Sequence, residues 1–85
     1  MTIRFSKPFV RQYTKLSASV RKKVDQQLRR LAENARHPSL SARKMTNQGD
    51  IWEARVDYHY RVTFQMTRDL IILRRVGTHA IYRKP

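Results

Sequence analysis

Apolar residues recur at two different spacings along the chain, and the change from one to the other divides it into a helical half and a strand half. Residues 2–6 read as a short first strand. Pro8 suits the first turn of a helix, and Phe9, Tyr13 and Leu16 follow at helical spacing, predicting a first helix over roughly Pro8 to Leu16. Ser17 is a candidate N-cap for a second, stronger helix in which Val20, Val24, Leu28, Leu31 and Ala35 mark one face. The opposite face carries Arg21, Lys22, Lys23, Arg29 and Arg30, a pattern suited either to plain solvation or to following a phosphate backbone. His37-Pro38 is expected to end the helix, because a residue before proline is pushed out of the helical region. A polar loop then runs to Asp50.

From Ile51 the rhythm becomes two. Trp52, Ala54 and Val56 alternate with Glu53, Arg55 and Asp57, and Tyr60, Val62, Phe64 and Met66 alternate with Arg61, Thr63 and Gln65. The apolar run Leu70-Ile71-Ile72-Leu73, flanked by Arg68-Asp69 and Arg74-Arg75, suits a central strand covered on both sides. Two helices followed by a three-strand meander give a single α+β domain with the helices packed on one sheet face.

The alternation also fixes a register. If the even residues of both strands face the helices, the turn at Asp57-Tyr58-His59 holds an odd number of residues, and 54 pairs with 62. Arg55 then lies directly opposite Arg61 on the open face, and Glu53 opposite Thr63. Like charges in opposition are destabilising, so an anion is expected there. Glu53 is one candidate; a phosphate held by two guanidinium forks is the other. Arg75 and His79 extend the patch if the odd residues of the next strand share the open face. A two-residue turn at Arg68-Asp69 favours the opposite parity.

Composition narrows the partner. Nineteen Lys and Arg against six Asp and Glu give a formal charge of +13 and a pI near 11.4, so the folded surface repels itself until anions or an acidic partner neutralise it. Nucleic acid leads, with a merely solvated basic surface as the alternative. Arg43, Lys44, Arg75, Arg83 and Lys84 are candidate phosphate-binding residues. The basic segments lack the long apolar stripe of an interfacial helix, which argues against a membrane partner. The absence of Cys excludes disulfides, thiolate metal sites and a cysteine nucleophile. The N-terminal residues show no apolar signal-peptide core, and no run approaches membrane-spanning length, so a cytoplasmic location is expected. His79, beyond Gly77 in a polar tail with Tyr82, is a candidate proton-transfer group; a structural or merely exposed histidine is the alternative.

The stretch from Ile51 to Phe64 (Ile-Trp-Glu-Ala-Arg-Val-Asp-Tyr-His-Tyr-Arg-Val-Thr-Phe) and that from Ile72 to Tyr82 resemble the C-terminal sheet of RelE/ParE superfamily toxins, and the basic helix pair and His-Pro loop fit as well. The resemblance implies a two-helix hairpin on a twisted antiparallel sheet of three to four strands, co-expression with an acidic antitoxin, and toxicity usually through ribosome-associated mRNA cleavage. It also implies that Arg61 contacts the scissile phosphate, that Tyr82 and His79 serve proton transfer or phosphate binding, and that Arg55 is a strand arginine common to several branches. Two features depart from RelE: Trp52 and Ala54 stand where RelE has lysines, and the interval from Gly77 to Tyr82 is shorter. The superfamily also contains toxins directed at DNA gyrase.

The carboxylates Asp25, Glu33, Asp50, Glu53, Asp57 and Asp69 are scattered, which makes a two-metal site hard to build; neither metal nor cofactor is expected. Metal-free cleavage needs a nucleophile on the substrate, and RNA supplies one in its 2′-OH. The leading mechanism is attack of that hydroxyl on the adjacent phosphate, with Arg61 and Arg55 stabilising the developing charge. His79 or Tyr82 then protonates the leaving oxygen, and Glu53 or His79 accepts the hydroxyl proton. A gyrase inhibitor without catalysis and a plain nucleic-acid-binding module are the rival readings.

Overall fold

A computed structural model describes residues 1–85. The chain runs β1 (Thr2–Phe5), α1 (Lys7–Thr14), α2 (Ala18–Glu33), β2 (Arg43–Lys44), β3 (Trp52–Arg55), β4 (Arg61–Met66) and β5 (Leu70–Gly77), with 3₁₀ turns at Pro38–Leu40 and His79–Arg83. The α+β class and the helices on one sheet face are as expected. Two details are corrected. The sheet has five strands in the order β1-β5-β4-β3-β2, and it is mixed, because β1 runs parallel to β5. β2 was hidden in the sequence: two polar residues carry no alternation, yet they pair with Glu53 and Trp52.

Both helices start where their caps predict. The Ser6 hydroxyl accepts from the Phe9 N–H at 3.2 Å, with Pro8 in the first turn, and the Ser17 hydroxyl accepts from Val20 N–H at 3.3 Å. Both stop earlier than periodicity suggests. After Thr14 the N–H groups of Lys15 and Leu16 bond three residues back, to Gln12 and Tyr13, which tightens the last turn. α2 ends at Glu33 rather than at His37, because Asn34 is extended and its side-chain oxygen takes the Arg36 N–H at 3.0 Å, a local bond that competes with the helix. Ala35 therefore lies beyond the helix.

Phe9, Val24, Leu28 and Leu31 from the helices meet Phe64, Leu73 and their neighbours in one core. The β4–β5 register slips between Thr63 and Phe64, so Phe64 faces Leu73 while Thr63 faces Arg75, and Arg74 is the extra residue of a bulge. Both parities left open by the sequence are thus used. Ile71 and Leu73 point to the core below the bulge, Val76 does so above it, and Arg75 is turned to the open face. β1 accompanies β5 only as far as Leu73; beyond it the Ser6 hydroxyl donates to the Arg74 carbonyl at 2.8 Å and the Gln12 Oε1 accepts from the Val76 N–H at 3.0 Å. The edge of β5 is therefore not left bare.

The basic face of α2 is largely tied down within the chain. Lys23 reaches Asp57 at 3.3 Å, Arg21 donates to the Leu16 carbonyl at 3.1 Å, and Arg30 donates to Gln27 at 2.9 Å and to Ser39 at 3.1 Å. Gln27 itself is buried and donates to the main-chain carbonyl of Arg55 at 2.7 Å and to that of Ser39 at 3.3 Å. This amide fastens α2 to the end of β3. Gln27→Leu strands those carbonyls and is expected to lower stability by about 1–3 kcal/mol, measured by urea unfolding.

Candidate active site

Two rows of residues cross the open face of the sheet. Arg43, Glu53, Thr63 and Arg75 are successive partners on β2 to β5, and Arg55, Arg61 and Gly77 are successive partners on β3 to β5. The opposition of Arg55 and Arg61 read from the alternation is therefore present, as is that of Glu53 and Thr63. Arg43, Glu53, Arg55, Arg61 and Tyr82, with Ser41, line a pocket of about 270 Å³.

Glu53 is buried, with its side chain only 8 % exposed, and its carboxylate accepts from the Arg43 Nε at 2.7 Å. It is committed to Arg43 rather than to the arginine pair. The chain's other ion pairs, Lys23–Asp57 and Lys44–Asp50, leave Arg55 and Arg61 without a carboxylate as well. Arg61 is anchored from one side only: its Nη1 donates to the main-chain carbonyls of Asp57 and, at 2.9 Å, Tyr60. The loop that supplies these acceptors is held by the Asp57 carboxylate, which takes the N–H of His59 at 2.9 Å and that of Tyr60 at 2.8 Å. Burial raises the Asp57 pKa, but these two N–H groups and Lys23 outweigh it, so Asp57 stays ionised below the ordinary aspartate value. Arg55 is exposed, and its backbone is held by Gln27.

Tyr82 reaches the pocket from the C-terminal tail, and three contacts dock that tail. Ile81 is buried against Gly77, where an added Cβ would come within 2.8 Å of the Ile81 Cγ2. The fully buried Thr63 hydroxyl donates to the Pro85 carbonyl at 2.7 Å, and the Arg74 Nε donates to the same oxygen at 3.3 Å. Gly77→Ala is expected to lift Ile81 and displace Tyr82, lowering activity about 10²-fold if the shift approaches 1 Å. Its measurement is activity beside thermal unfolding, with the loss of activity exceeding the loss of stability.

Burial pushes the Tyr82 hydroxyl above the ordinary tyrosine pKa, and the facing Glu53 carboxylate raises it further, while Arg61 and Arg43 oppose the rise. Tyr82 is therefore a proton donor across the neutral range. His79 opens the 3₁₀ turn, is exposed, and lies outside the pocket wall, with its ring 5.8 Å from that of Tyr82. Lys44 borders an adjoining hollow with Arg43 and Tyr82, whereas Arg75, Arg83 and Lys84 lie in a separate cleft beside the tail. The structure thus gathers Arg43, Glu53, Arg55, Arg61 and Tyr82, and leaves the other candidates around them. Thr63, Gly77 and Gln27 are the supporting residues that sequence reasoning missed. The larger cavity of about 760 Å³, near Trp52 and Phe64, has its His37 Nδ1 already engaged by Ser39, and it holds no comparable set of groups.

This arrangement sits on a fold shared with solved bacterial toxins. YafQ from E. coli strain BL21(DE3) superposes with a TM-score of 0.77 at 18% identity, over 94% of this chain and 94% of that one. The YoeB of Staphylococcus aureus gives 0.78 at 18% identity over 93% and 97%, and the E. coli RelBE toxin–antitoxin complex gives 0.74 at 19% over 91% and 94%. No curated protein sequence matches significantly. The fold and its basic open face define a small toxin of the RelE-like class. Residues 3–81 match the family model described as the ParE toxin of the type II toxin–antitoxin system parDE, and the chain belongs to that family.

Proposed function

We propose that this toxin is a metal-independent endoribonuclease. The observation that carries the reading is the single pocket in which a buried carboxylate, a tyrosine held protonated and two arginines without carboxylate partners converge. Each part has a task in phosphodiester cleavage. The arginines clamp the phosphate and stabilise the charge that grows on its oxygens. Glu53, turned toward the substrate by Arg43, accepts the 2′-OH proton as that oxygen attacks phosphorus. Tyr82 gives its proton to the leaving 5′-oxygen as the P–O bond breaks, leaving a 2′,3′-cyclic phosphate. The proton taken by Glu53 then passes to Tyr82 along their contact, which restores both groups. His79, at the mouth of the site, contributes positive potential and exchanges protons with solvent.

The chain brings together no three His, Asp or Glu side chains that would hold a metal ion. The excess of positive charge suits a cognate acidic antitoxin, as the complexes among the solved relatives do, and no helix is long and apolar enough to cross a membrane. Cytoplasmic action on mRNA, on or off the ribosome, follows from this reading. A gyrase-directed toxin without catalysis is the second reading, favoured by the ParE family match. The test is single-turnover incubation with a defined RNA, alone and on ribosomes, beside a gyrase supercoiling assay. Cyclic-phosphate ends are expected; intact RNA with inhibited supercoiling would transfer the function to the second reading.

A further inference from the structure

The docked tail has two sides. Tyr82 faces the pocket just described, whereas Ala80, Ile81, Arg83 and Lys84 border a separate cleft of about 430 Å³ whose far wall is Arg75 and Gln12. That cleft contains no carboxylate, and none of Arg75, Arg83 and Lys84 takes part in an ion pair. Gln12 adds a donor rather than an acceptor, since its Oε1 is already bonded to the Val76 N–H and only its NH₂ remains to face the cleft. Arg74 beside it is spent on Gln65 and Pro85, so the bulge is what turns Arg75 outward in its place. The lining is thus donors alone, with no group able to take or give a proton near neutrality.

We propose that this cleft is a second phosphate subsite, which holds the backbone of the same RNA strand at a phosphate beyond the scissile one. The proposal rests on the ribonuclease reading for the identity of the ligand, and it assigns binding without chemistry to this side of the tail. Arg75 adjoins the catalytic row directly: it lies two residues before Gly77, the β5 partner of Arg61. A strand that crosses the tail at Tyr82 meets guanidinium groups on both sides, and arginine forks match phosphate oxygens in pairs. A protein segment fits less well, because with Ile81 buried the cleft offers Ala80 as its one apolar contact.

The test separates this subsite from catalysis by using RNA that cannot be cut. Binding of a 2′-O-methyl hexanucleotide and of a 2′-O-methyl dinucleotide is measured across a salt series for wild type, for Arg75→Ala/Arg83→Ala and for the exposed single change Arg83→Glu. The double variant is expected to weaken hexanucleotide binding and to flatten its log K against log[salt] slope by about 1.4, at about 0.7 per lost phosphate contact. Dinucleotide binding, which needs the first pocket alone, is expected to stay at the wild-type value. Arg83→Glu is expected to weaken the hexanucleotide in the same selective way, and it keeps the test sound if the double variant unfolds. An unchanged slope, or equal losses for both oligonucleotides, overturns the proposal. So does a variant that keeps the wild-type slope yet loses affinity for oligoglutamate, which would make the cleft a protein-docking element. Failure of the wild type to cleave ordinary RNA would refute the nuclease reading while leaving these binding results intact.

Discussion

Tyr82→Phe is expected to lower the single-turnover rate of RNA cleavage by about 10²–10⁴-fold, the usual contribution of a positioned general acid, with little change in RNA affinity. The ring keeps its place, so only the hydroxyl is lost. The pH dependence identifies the donor. Burial and Glu53 raise the Tyr82 pKa above the usual tyrosine value of 10.0. The acid therefore stays protonated as pH rises through neutrality, and a fall in rate from its ionisation begins only above that value. If the donor were His79, the rate would instead fall near neutrality, where histidine ordinarily titrates. His79→Gln, outside the pocket, is expected to cost little by comparison. A profile with a neutral limb that His79→Gln abolishes, together with an active Tyr82→Phe, would move the acid to His79.

The contrast between those two residues shows what the sequence could and could not reveal. Alternation over residues 51–66 determines faces, and an odd turn determines pairing, so Arg55 opposite Arg61 was legible before any coordinates. Caps at Ser17 and the first-turn Pro8 were legible for the same local reason. The position of Tyr82 depends on contacts distant in sequence: Ile81 on Gly77, and Pro85 on Thr63 and Arg74. No periodicity encodes where a polar tail docks, so Tyr82 and His79 looked alike. The run Leu70–Leu73 is apolar at both parities, which conceals the bulge that redirects Arg75. Gln27 did leave a signal. It stands three residues after Val24 and beside Leu28, on the buried face of α2, and a glutamine there calls for a buried partner, which proves to be the backbone of Arg55.

Arg55→Ala is expected to separate stability from function in opposite directions. Arg55 and Arg61 are direct cross-strand partners, and no carboxylate neutralises either. Like charges so placed are destabilising by roughly 0.2–1 kcal/mol. Arg55 is exposed, and Gln27 holds its carbonyl rather than its side chain, so truncation disturbs no other bond of the site. Arg61 is less clean as a probe, because its Nη1 also ties the 57–60 loop, and its loss would slacken the turn as well as the site. Arg55→Ala should therefore leave the protein as stable as wild type or slightly more so in urea, and the difference should shrink as salt screens the repulsion. The same change removes one preorganised donor from the charge developing on the phosphate, a loss usually worth about 10²–10³-fold in rate. A transition-state role demands that this loss appear in the single-turnover rate at saturating enzyme. A purely affinity-based defect would make Arg55 a binding residue, and an unstable variant would mean that the arginine pair is held by something other than the missing phosphate.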